Sequence, residues 1–180
     1  MYLYHGTTVP AARRIAKEEF KTDKKYNWGV TSKKGFVYLS KAYAPFYAMT
    51  AKGQGNNRAI VKVSVPAGKL YPEDDFIMAA LGKPHYTQAD INAINLEDYK
   101  QYAPDSLQYM GNAAAKPKDI KVVGVTEFDA KRLLFVCDPV IAPINYKIMG
   151  NYYEGLTEWI YKGGKPEEFK KFGVGEKMKW

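Results

Sequence analysis

Apolar and polar positions along the chain recur with two periods, and these divide it into strands and helices. Tyr2-Leu3-Tyr4 reads as a short strand. Gly6-Thr7-Thr8-Val9-Pro10 follows, where Thr7 or Thr8 can cap a helix and Pro10 suits its first turn. Ala12, Ile15, Ala16 and Phe20 then recur at helical spacing, with Arg13, Arg14, Lys17 and Glu18 on the opposite face, which predicts a helix to about Phe20. Lys21 to Lys34 is polar, basic and rich in turn formers, with Trp28 and Val30 as its large anchors. It reads as a long surface loop of the kind that often borders a site. Gly35 to Ser40 is a compact strand, and Lys41 to Ala51 turns helical with Ala44, Tyr47, Ala48 and Ala51 along one face. After a turn at Gly53 to Asn57, the run from Ala59 to Val65 is a strand that Pro66 and Gly68 end.

Thr87-Gln88-Ala89-Asp90 has the form of a helix cap ahead of Ile91, Ile94 and Leu96. It predicts a helix to about Asn95 and a second short one ending near Tyr102, which Pro104 stops. Ser106 to Met110, Ile120 to Phe128 and Arg132 to Val136 read as strands, with Lys131 beside a turn. Beyond Pro139 the pattern gives one helix, around Glu154 to Tyr161, and a lysine-rich, aromatic tail. The expectation is one α+β domain over residues 1–138, with a C-terminal extension, 139–180, packed on it or flanking it.

Composition narrows the class. A chain of 180 residues that is 46% hydrophobic and 14% aromatic can bury enough surface to offset its ordering entropy, so a folded globular protein is expected. The single cysteine, Cys137, excludes an intramolecular disulfide framework. With His5 and His85 as the only histidines, no Cys/His set closes a zinc site. No apolar run approaches the roughly 20 residues that span a bilayer, and the N-terminus lacks the form of a signal peptide, so a cytoplasmic protein without a membrane partner is expected. A net charge of +8 permits attraction to nucleic acid or to an acidic protein face. The Gly53-Gln54-Gly55 turn is not a phosphate loop, because no Gly-Lys-Ser/Thr ending follows it.

The candidate chemistry sits in two short motifs. His5 stands at a strand end and is followed by Gly6, which lets backbone approach a ligand closely. Tyr38 lies on the strand that leads to the second helix. Taken together, Leu3-Tyr4-His5-Gly6-Thr7-Thr8 and Gly35-Phe36-Val37-Tyr38-Leu39-Ser40, with Tyr47-Ala48 downstream, resemble the ADP-ribosyltransferase superfamily. The likeness is to its histidine–tyrosine branch, which includes diphtheria toxin and the poly(ADP-ribose) polymerases, and in outline it covers residues 2–136. It implies two packed, mostly antiparallel sheets forming a cleft for NAD, which is consumed as substrate.

By this resemblance, His5 bonds a ribose hydroxyl on the adenosine side, the Gly6 backbone holds the nicotinamide carboxamide and Thr7 contacts the nicotinamide ribose. Tyr38 and Tyr47 sandwich the nicotinamide ring, and Ser40 adds a polar contact. The implied reaction cleaves the glycosidic bond through an oxocarbenium-like ribose, held by stacking and oriented hydrogen bonds. ADP-ribose would pass to a protein or nucleic-acid acceptor. A small, basic, stand-alone domain of this type would suit a bacteriophage or bacterial effector.

The chain departs from the family at the acid. The family places a glutamate at the start of a late strand, where it stabilises developing positive charge. The stretch Ser106-Leu107-Gln108-Tyr109-Met110-Gly111 holds none. Gln108 is the better candidate for the polar group, Gly111 is the alternative position and Glu127 is the nearest later carboxylate. This leaves two other readings open. One is a protein that keeps the pocket but acts by binding a partner. The other is an RNA 2′-phosphotransferase-like enzyme, whose phosphate site would need arginines from among Arg13, Arg14, Arg58 and Arg132.

Overall fold

A computed structural model describes residues 1–21, 32–83, 85–135 and 146–169. Strand β1, Tyr2–Thr8, runs straight into helix α1, Val9–Glu18. Thr8 caps that helix by accepting a hydrogen bond from the Ala11 amide, and Pro10 lies in its first turn. β2, Val37–Ser40, leads to α2, Ala44–Thr50. β3, Asn57–Ser64, and the two-residue β4, Leu70–Tyr71, come next, followed by α3, Asp74–Ala80, and α4, Gln88–Ala93. A 3-10 turn over Leu96–Tyr102 continues into α5, Ala103–Tyr109, and then β5, Asn112–Ala115, and β6, Lys121–Asp129. The last long element among the described residues is α6, Tyr146–Tyr161.

The protein is α+β. Six strands form one sheet in the order β4-β5-β2-β1-β3-β6, and every neighbouring pair is antiparallel. Where the family resemblance implies two packed sheets, backbone pairing here makes a single one. Its middle is narrow, because β1 and β2 pair at one register position, Tyr4 with Ser40, whereas β1 and β3 pair along their whole lengths from Tyr2 with Ser64 to Thr8 with Arg58.

Strand alternation sends Leu3, Val37, Leu39, Ala59, Val61, Ala113 and Ala115 to one face. There they form a core with Ala12, Ile15 and Phe20 near α1 and with Ala103 and Leu107 of α5. On the other face, Tyr4, Ile60 and Phe128 pack with Phe46 and Ala48 of α2 and with Tyr153, Leu156 and Ile160 of α6. Over β4 and β5 the same face meets Ile77 and Met78 of α3 and Ile91 of α4. α6 is fastened to the sheet by the Tyr4 hydroxyl, which donates to Glu158, and by Thr157, whose hydroxyl donates to the Ala42 carbonyl at 2.5 Å.

Two strand predictions are corrected. Ser106 to Met110 is not a strand, since all but Met110 lies in α5, where Ala103, Ser106 and Leu107 face the core at helical spacing. Pro104 stands in the first turn of that helix, where its missing N–H needs no partner, so it starts a helix instead of stopping one. The described part of Arg132 to Val136 belongs to a 3-10 turn over Ala130–Phe135. The last helix starts at Tyr146, earlier than Glu154. Trp28, Val30, Val136, Cys137 and the tail beyond residue 169 lie outside the described residues.

Candidate functional site

The sheet face beneath α2 and α3 carries a polar cluster between two apolar ones. The cross-strand register sets it up. Tyr38 stands opposite Ala114, and Ser40 stands opposite both Asn112 and Tyr4, so Tyr38, Ser40 and Asn112 share one face. The Tyr38 hydroxyl donates to Asp74 Oδ2 at 2.6 Å, and the Lys33 amide donates to the same oxygen at 3.0 Å. Asn112 Nδ2 donates to the Tyr47 hydroxyl and to Glu73 Oε2, both at 2.8 Å. Ser106 joins the parts from behind, accepting a bond from the Glu73 amide at 3.0 Å and donating to the Asn112 carbonyl at 2.8 Å.

Ser40 plays a local part. Its hydroxyl donates to the Gly111 carbonyl and accepts from the amides of Ala42 and Tyr43, which shapes the turn into α2. Gly111 has φ +71°, a left-handed conformation that glycine adopts at low cost, and it turns the chain from α5 into β5.

His5 points to the opposite face, edge-on to Phe20 at 5.3 Å between ring centres. Its Nδ1 lies 3.0 Å from the Tyr38 carbonyl, so a side chain bridges the strands where backbone pairing has stopped. Burial lowers the His5 pKa, outweighing that hydrogen bond, which acts the other way. A neutral imidazole with its proton on Nδ1 offers Nε2 as an acceptor. Thr7 alternates to the same face as His5. Gly6 lies under α2, and a Cβ there would stand 1.8 Å from the Ala44 carbonyl oxygen and 2.6 Å from the Ala48 nitrogen. Close helix packing therefore requires this glycine whatever it binds.

The cluster is acidic and enclosed. Glu73 is pushed up to about 8, first by burial, then by the charge of Asp75, with Asn112 acting against both. Burial is also the main cause of the upward shifts of Asp74 and Asp75, and it holds the hydroxyls of Tyr38 and Tyr47 far above their ordinary range. Two buried oxygens, Asp74 Oδ1 and Asn112 Oδ1, have no hydrogen-bond partner, although these residues are only 4% and 5% exposed.

Gln108 is exposed on α5 and outside this network, and Glu127 is on β6, paired with Arg13 at 2.7 Å. The residue at the start of the late strand is Asn112. The acids beside it, Glu73 to Asp75, were missed in the sequence. Their signal was present as carboxylates ahead of the apolar run Phe76-Ile77-Met78, a helix-start pattern.

Arg58 donates to the carbonyls of Gly55 and Asn57, and Arg132 lies 3.8 Å from both Asp129 and Glu167. A cavity of about 330 Å³ between β6 and the end of α6, lined by Glu127, Asp129, Arg132 and Glu167 among others, is separate from the cluster. Among the described residues, no group of three His, Cys, Asp or Glu side chains could hold a metal, and no helix is long and apolar enough to cross a membrane. No protein-family model, curated protein or solved structure matches this chain.

Proposed function

We propose that the protein binds NAD where β1 and β2 part and transfers ADP-ribose to a protein or nucleic-acid acceptor with release of nicotinamide. The observation that carries this reading is the juxtaposition at the start of β5. Asn112 holds the Glu73 carboxyl and the Tyr47 hydroxyl together, one strand away from Tyr38 and from the carbonyl that His5 binds. A carboxyl group thus stands beside a slot that the linear sequence leaves without an acid. Once ionised, above about pH 8, this group suits a reaction in which positive charge develops on a sugar. His5 supports the reading as a neutral acceptor for a ribose hydroxyl, placed where backbone pairing between β1 and β2 has stopped.

The phosphotransferase alternative finds less support. A phosphate site needs available cations, and Arg13, Arg58 and Arg132 bond elsewhere. Binding a partner without turnover is the second reading, favoured by the +8 charge. Nicotinamide release from NAD, measured alone and with cell lysate and followed by mass spectrometry for added ADP-ribose, separates the two. The transferase reading expects release that falls at least about a hundredfold in Tyr38→Ala and in His5→Ala. Saturable NAD binding with no release under any condition overturns transfer and leaves recognition.

A further inference from the structure

Glu73 departs from an ordinary helix start, and the departure draws in Ser106. Glu73 is the N-cap residue of α3, yet its side chain makes no capping bond to that helix. Its carboxyl instead accepts from Asn112 Nδ2 at 2.8 Å. The Glu73 amide donates to the Ser106 hydroxyl at 3.0 Å, and the same hydroxyl donates to the Asn112 carbonyl at 2.8 Å. A rule of helix capping is set aside so that a carboxyl faces another strand, an exception of the kind found at functional sites.

Ser106 makes a similar departure. A serine inside a helix commonly turns its hydroxyl out to water or back to the carbonyl four residues earlier. Ser106 lies in α5 with no exposed surface, and it directs its proton across to β5. Both of its partners are backbone atoms, so the two bonds locate the chain itself at the starts of α3 and β5. From those two points the Glu73 carboxyl and the Asn112 amide meet, and the second hydrogen of Nδ2 goes to the Tyr47 hydroxyl at 2.8 Å.

We propose that Ser106 is a positioning residue for this site: it holds Glu73 and Asn112 in register through their backbones and touches no ligand itself. The inference rests on the transferase reading for its effect on turnover. In that reading His5 and Tyr38 hold NAD, while the pair of Glu73 and Asn112 acts where charge develops on the sugar. Loss of the serine hydroxyl therefore falls on kcat and spares the KM for NAD.

The ligand-free, full-length protein provides the first test, by NMR of the Asn112 side-chain amide. Ser106→Ala removes both serine bonds and leaves the side chains of Glu73 and Asn112 in place. The two Nδ2 proton signals, set apart by their different acceptors, should move toward those of a free amide. Ile15→Ala serves as the control, since it opens a cavity in the core at α1 and touches none of these groups. Signals that stay in place in Ser106→Ala overturn the proposal, and so does an equal movement in Ile15→Ala, which would reduce the effect to lost stability. Ser106→Cys, with a weaker donor of similar size, carries the same test with the same expected direction where the alanine variant does not fold.

Nicotinamide release from NAD supplies the second test. Ser106→Ala should lower kcat at least about tenfold with the KM for NAD changed less than about twofold, and Ile15→Ala should leave both unchanged. Added to Glu73→Gln, Ser106→Ala should bring no further drop, because the serine acts through that carboxyl. A further drop as large as in the parent overturns the proposal. Moved amide signals in a protein that releases no nicotinamide remove the transferase reading and leave Ser106 as the residue that positions the cluster.

Discussion

At the scale of single residues, the site is assembled from groups that fold at a cost. The two shifted groups His5 and Glu73 link stability to pH in opposite ways. The folded chain holds His5 neutral below its ordinary 6.5, while the unfolded chain takes up a proton there, so stability is lost as pH falls from 6.5. Glu73 rises from 4.5 to about 8, so in that window the folded chain keeps a proton that the unfolded chain has released, and stability is lost as pH rises. Thermal unfolding midpoints should therefore decline from about pH 6.5 toward about pH 8 in the parent. Glu73→Gln should flatten that decline, and an unchanged slope would show that Glu73 does not titrate there. His5, Tyr38 and Tyr47 were legible as candidates because motif and spacing name them, but Glu73 and Asn112 were not. Their importance comes from a contact between residues 39 positions apart, which no local pattern encodes.

At the scale of elements, α2 explains why the first motif reads as it does. The helix crosses β1 so closely that Gly6 has no room for a side chain, and Ala44 and Ala48 keep the helix side of the contact small. Gly6→Ala should destabilise the fold by about 3 kcal/mol, at the upper end for overpacking because the obstructing atoms are backbone, and denaturant unfolding reads this directly. A loss below about 1 kcal/mol would show that α2 can slide away. Most elements were legible, including the cap at Thr8 and the capping box of Thr87 and Asp90 that starts α4. α5 was misread because Ser106 to Met110 is too short to separate the two periods, and Pro104 was taken as a terminator where it is a starter. The helical spacing of Ala103, Ser106 and Leu107 becomes evident only once the strand to which they are pinned, β5, is in place.

At the scale of the whole molecule, α6 covers one face of the sheet and is tied to it through Glu158. That carboxylate accepts from the Tyr4 hydroxyl and meets Lys62 at 3.3 Å, whose ammonium also sits over the rings of Tyr2, Tyr4 and Tyr161 at about 5 Å. Removing the carboxylate leaves a half-buried hydroxyl and an ammonium with fewer partners, so Glu158→Ala should cost about 1–2 kcal/mol, measured by denaturant unfolding. No change would mean that apolar packing of Tyr153, Leu156 and Ile160, with the Thr157 hydrogen bond, holds the helix.

The single pairing between β1 and β2 has a further consequence for how the chain comes into being. One half of the sheet is built from residues 2–8, 57–64 and 121–129, and the other from 37–40, 70–71 and 112–115. The two sets are interleaved along the chain, so neither half closes until most of the chain has been made. A ribosome must deliver residue 129 before the first half is complete and residue 115 before the second. Until then each half lacks its last strand, and productive folding is a late event that depends on shielding the nascent chain from its neighbours.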